Sequence, residues 1–124
     1  MPRLLIAAFI SLLALSPVAT SMTPAQIRSC NALAQGFSGK ATEYEAAKAS
    51  RDEAAAAAEL AGEAWEAAEE LRLFGAEQAS DADEAYAAYE AAKVEFETIE
   101  AAVREQGASL NAEIATYNTR CVTD

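Results

Sequence analysis

The sequence predicts an all-α fold: a long antiparallel two-helix hairpin, coiled-coil-like and alanine-rich, whose open end is clamped by a disulfide. Three features lead there. Tyr89, Phe96, Val103, Leu110 and Tyr117 recur every seven residues, with Tyr86, Ile114 and Cys121 in a flanking row, which draws one apolar stripe along a long helix. The segment from Ile27 to Leu73 carries a second stripe able to cover the first. Finally, Cys30 and Cys121, the two cysteines of the chain, flank a set of helix-stop signals near its middle.

The chain opens on Met1-Pro2-Arg3, then an apolar run from Leu4 to Leu15, a break at Pro17 and the small residues Ala19-Thr20-Ser21. This order is that of a secretory signal, with cleavage expected after Ser21. A run of about a dozen residues is shorter than the ~20 needed to span a bilayer. The expected organisation is therefore a cleaved leader over 1–21 and one helical-hairpin domain over 22–124. The product would be exported, periplasmic or extracellular, with no membrane span after cleavage.

Thr23-Pro24-Ala25-Gln26 reads as a helix start, with Thr23 as cap, Pro24 in the first turn and Gln26 closing a capping box. Helix 1 is expected over about 24–74, its stripe passing through Ile27, Cys30, Ala34, Phe37, Ala41, Tyr44, Ala55, Ala58, Gly62 and Trp65. Gly36 and Gly39 each weaken it by about 1 kcal/mol. Because Cys30, Phe37 and Tyr44 stay in phase across them, a continuous or bent helix is expected rather than a break. Arg72 and Gly75 are stop signals. A turn is expected over about 75–80, with Ser80 capping a second helix over about 81–120 and acids in its first turn.

The cysteines also set a register. Their residue numbers add to 151, and the midpoint falls between Gly75 and Ala76. Other pairs with that sum place large side chains against small ones: Ala34 against Tyr117, Ala41 against Leu110, Gly62 against Tyr89 and Tyr44 against Gly107. Phe37 meets Ile114, Trp65 meets Tyr86, and Arg51 meets Glu100 as an expected core ion pair. Alternation of large and small lets two helices approach closely and still fill space. An exported chain with two cysteines, no C-x-x-C motif and no histidine to activate a thiolate points to a structural Cys30–Cys121 bond, ahead of a redox-active thiol pair or a bridge between two chains.

Function classes narrow by exclusion. The formal charge is −11, and −12 once Arg3 leaves with the leader, which repels nucleic acid and anionic membrane surfaces and suits a basic partner. Histidine is absent, as are a nucleophile elbow, a P-loop and a dinucleotide fingerprint, so no enzyme activity and no cofactor is expected. Glu45, Asp52, Glu59 and Glu66 repeat every seven residues, as a solvated helix face does. Asp81, Asp83 and Glu84 could hold a hard cation only weakly, lacking the ligands and glycine of an EF-hand loop. No metal site is assigned.

Trp65, Phe74, Tyr86 and Tyr89 gather at the turn end. Exposed, they would form an aromatic tip ringed by acids and a contact point for a partner; buried, they are the widest part of the core. Ala88, Val94, Ala101, Ala102 and Ala108 make a nearly uncharged side of helix 2. It is either a bland surface or the seam of a homodimer in which two hairpins form a four-helix bundle. The resulting expectation is a non-enzymatic structural or protein-interaction module, a rigid acidic rod of roughly 60 Å at 1.5 Å per residue, with an unknown and basic protein as partner. The alternative is a periplasmic chaperone-like or cation-buffering protein that binds basic clients through its acidic faces.

Overall fold

The computed structural model of the protein describes residues 21–122; apart from Ser21, the expected leader lies outside them. Two helices make up nearly all of this span, α1 over Pro24–Leu71 and α2 over Ala76–Cys121, joined by one 3-10 turn over Arg72–Phe74 and by Gly75. At 1.5 Å per residue the hairpin is about 70 Å long.

The start of α1 follows from its cap. Gln26 N–H donates to Thr23 Oγ1 while Gln26 Oε1 accepts from Thr23 N–H at 2.7 Å, with Pro24 in the first turn. The helix then runs unbroken through Gly36 and Gly39. A Cβ built at either glycine meets nothing within 4 Å. Gly36→Ala and Gly39→Ala are therefore expected to stabilise the protein by about 0.5–1 kcal/mol each through helix propensity, read as a higher urea midpoint.

The turn is tighter than expected. Ser80 does not cap α2; the helix begins four residues earlier, at Ala76, behind the extended residue Gly75. Ala76-Glu77-Gln78-Ala79 are all strong helix formers and Glu77 lies in the first turn, where its charge is favoured, so nothing holds the helix back until Ser80. The connection is thus centred between Leu73 and Phe74, slightly before the Gly75–Ala76 midpoint of the cysteine register.

That register is the one observed. Cys30 and Cys121 are bonded, with Cα atoms 5.7 Å apart. A Cβ at Gly62 would lie 3.2 Å from the Tyr89 ring, and one at Gly107 would lie 3.0–3.2 Å from the Tyr44 hydroxyl and ring. Gly62 and Gly107 each make room for a tyrosine of the opposite helix. Leucine at Gly107 should cost about 1–3 kcal/mol by overpacking despite its better helix propensity, opposite in sign to Gly36→Ala in the same denaturation assay.

Two details differ from the sequence pairing. Phe37 packs edge-on against Tyr117, with centroids 5.4 Å apart, and leaves Ile114 partly exposed. Helical side chains lean toward their own N-terminus, so in an antiparallel pair Phe37 and Tyr117 lean toward each other and meet one turn from the backbone register. Ala34 and Ala41 are exposed, and the seam of α1 runs through Cys30, Leu33, Phe37, the Lys40 that pairs with Glu113, Tyr44, Ala47, Arg51, Ala54, Ala58, Ala61, Trp65 and Ala68. The spacing alternates three and four, as in a coiled coil, and omits the every-seventh alanines at its edge.

The core is thin. Ala58, Ala82 and Val103 alone are buried among the described residues, and no large side chain is fully buried. Alanine buries a single methyl group, so a seam built from it brings the helices close without much apolar burial. The α2 side bearing Val94 is exposed to solvent. No helix of the described residues is long and apolar enough to cross a membrane.

Candidate functional site

At the turn end the seam and the surface part company. Continuing the seam of α1 by one heptad from Trp65 lands on Arg72, which places Leu71, Leu73 and Phe74 off it. Leu73 is 97% exposed, Phe74 80% and Leu71 51%. Three large apolar side chains thus cap the rod in open solvent, within four consecutive residues.

Arg72 holds this cap in place. Its Nε donates to Glu69 at 2.8 Å and its Nη2 to Asp83 at 2.8 Å, tying the end of α1 to α2 across the turn. The hydrogen bond to Asp83, then that to Glu69, raises the Arg72 pKa above its ordinary value. The guanidinium itself stays charged at every pH the protein meets. Beneath it Trp65 stacks on Tyr89, centroids 5.6 Å apart and planes 12° from parallel, and tilts against Tyr86 at 5.1 Å. Lys93 lies over the Tyr89 ring at 5.1 Å and bonds Glu90, the contact that chiefly raises the Lys93 pKa. The lysine's contribution is therefore fully present below its ordinary value of about 10.4 and is lost as pH rises through the raised one.

The four aromatic residues expected at the contact point thus split. Trp65 and Tyr89 are half-buried seam residues and Tyr86 packs on Trp65 from the rim, whereas Phe74 stands clear. Leu71 and Leu73 belong with Phe74 and were not singled out by the sequence reading. The signal was present: a large residue between stripe positions at a helix end has nothing to pack on.

Beside the outer edge of Trp65 an open depression of about 430 Å³ is lined by Glu66, Glu69 and Glu70. Glu69 is engaged by Arg72, and Glu66 and Glu70 make no ion pair among the described residues. At the opposite end a depression of about 400 Å³ lies against the disulfide, between Gln26, Ser29, Leu33 and Arg120. No group of three or more potential metal ligands occurs among the described residues.

The expected core ion pair between Arg51 and Glu100 is not formed. Arg51 donates from Nε and Nη2 to its neighbour Asp52, at 3.0 and 2.7 Å, and Glu100 accepts from Arg104 at 2.9 Å. Both side chains keep about a third of their surface in solvent (32% and 33%). At that exposure a local partner within one helix costs less side-chain entropy than one across the seam. Among the described residues the ion pairs that reach α2 from the other side of the hairpin are instead Lys40–Glu113 and Arg72–Asp83.

No protein-family model, no curated protein and no solved structure matches this chain.

Proposed function

We propose that the chain works without catalysis, as an exported, rigid, acidic rod that presents its turn end to a protein partner. One observation carries this reading: the hairpin is fastened at both ends, by the Cys30–Cys121 bond and by the Arg72 clip, while its largest exposed side chains sit at the tip. A rod held at both ends loses little conformational freedom when its tip docks, which favours affinity. The net charge of −11 supports a basic partner and high solubility. Charge-driven capture of basic clients or cations along the acidic faces is the second reading, favoured by that same charge.

Non-reducing peptide mapping of the protein recovered from its native cells tests the first reading. A chain starting near Met22, found in the exported fraction with the intrachain bond intact, supports it. An intact Met1, free thiols or a bridge between two chains counts against it. The second reading predicts binding that falls steeply with salt, since exposed charges further apart than about 8–10 Å are screened at physiological ionic strength.

A further inference from the structure

We propose, resting on the reading of the rod as an interaction module, that Leu71, Leu73 and Phe74 form an apolar plug. Its occupant partner is a protein with an apolar helix face flanked by lysine and arginine. The groove between Trp65, Glu66 and Glu70 receives one of those cations.

Three observations define the partner. The plug is the largest concentration of exposed apolar side chains among the described residues, and it is held by Arg72 across the turn rather than left loose. Exposed Leu and Phe at a fixed tip are anchors of the kind that dominate interface energies once a partner's face excludes water around them. The surroundings state the charge that flanks that face. From Glu66 to Glu84 there are seven acids and one base, Arg72, a local net charge of −6. Two such tips repel each other, which excludes a second copy as occupant, and an anionic lipid surface is excluded on the same ground. A basic flank is attracted, and it speeds encounter as well as fixing orientation.

The groove gives that flank a place to land. Tyr44 and Tyr89 each already carry a lysine of their own chain over the ring, Lys48 and Lys93, at 5.1 Å. No such cation lies over Trp65 among the described residues, although indole is the best aromatic partner for one. An arginine or lysine entering the depression meets the exposed part of the indole and two unengaged carboxylates together.

The test uses the oxidised protein and a synthetic amphipathic helical peptide with one Leu/Phe face flanked by Lys and Arg. Binding is read by calorimetry and by the emission of Trp65, the one tryptophan of the chain. One-to-one binding is expected, weakened at least about tenfold by Leu73→Ser with Phe74→Ser. Glu66→Gln with Glu70→Gln should weaken it about threefold and flatten its salt dependence. Leu60→Ser, at an exposed leucine well down the rod, should leave it unchanged. Unchanged unfolding midpoints show that each variant is folded.

Equal binding by wild type and the Leu73/Phe74 variant overturns the plug, as does no binding at all. A Trp65 response to phosphatidylcholine vesicles as strong as that to the peptide overturns the protein partner in favour of a lipid surface. Salt-resistant binding that Leu60→Ser abolishes removes the plug but leaves the module reading standing. Binding lost equally from every variant in about 0.5 M salt removes both and leaves the charge-driven alternative.

Discussion

Replacing Cys30 and Cys121 by serine is expected to lower the unfolding free energy by about 4–5 kcal/mol. The bond joins residues 91 apart in sequence, and a loop of that size loses about this much denatured-state entropy in the chain-entropy model. Against a domain stability that is commonly about 5–15 kcal/mol, such a loss is severe, and only three of the described residues are buried to offset it. The choice of measurement matters. Helices of 48 and 46 residues rich in alanine keep part of their helicity as isolated helices, so far-ultraviolet dichroism understates the loss of pairing. Trp65 emission and hydrodynamic radius, followed through a urea titration, report whether α1 and α2 still lie together. A variant with the wild-type midpoint by these two probes would show that the seam holds without the clamp.

Trp65→Ala is expected to cost about 2–3 kcal/mol, and Phe74→Ala less than about 0.5 kcal/mol. A fully buried tryptophan truncated to alanine loses about 3–5 kcal/mol, and partial exposure of the indole reduces this. Its contacts with Tyr86 and Tyr89 each add on the order of 0.5–1.5 kcal/mol beyond area burial. Phe74 is 80% exposed and loses nothing by truncation in the free protein. Urea midpoints by dichroism compare the two variants directly. Equal costs would mean that the four aromatic residues act as one cluster, and the separation of a structural triad from a free plug would fail. The expected pattern in binding is the reverse, with Phe74 carrying affinity and the Trp65 ring serving as a wall of the neighbouring groove.

Much of the architecture was legible in the residues because the constraints were redundant. The sevenfold recurrence from Tyr89 to Tyr117, the capping box at Thr23 and the cysteine positions all specify one antiparallel pair. The glycines at 62 and 107 added a check that composition alone could not supply, since each lies opposite a tyrosine ring. Local helix starts were less legible. Ser80 is a good cap by type, yet four helix formers precede it, and propensity outweighed the cap.

The candidate site was half legible. Phe74 and the acids around it could be read, while Leu71 and Leu73 could be recognised only by following the seam to Arg72. By itself the sequence determined the two helices, their antiparallel register and the residues that close the open end, because periodicity and covalent chemistry act along or across the chain in a countable way. The tertiary structure decided which aromatic rings lie against each other, which acids Arg51 and Arg72 hold, and which apolar side chains are left outside. Those outcomes turn on side-chain lean, exposure and competition between nearby carboxylates, energies of about 1 kcal/mol or less apiece that a residue pattern does not rank.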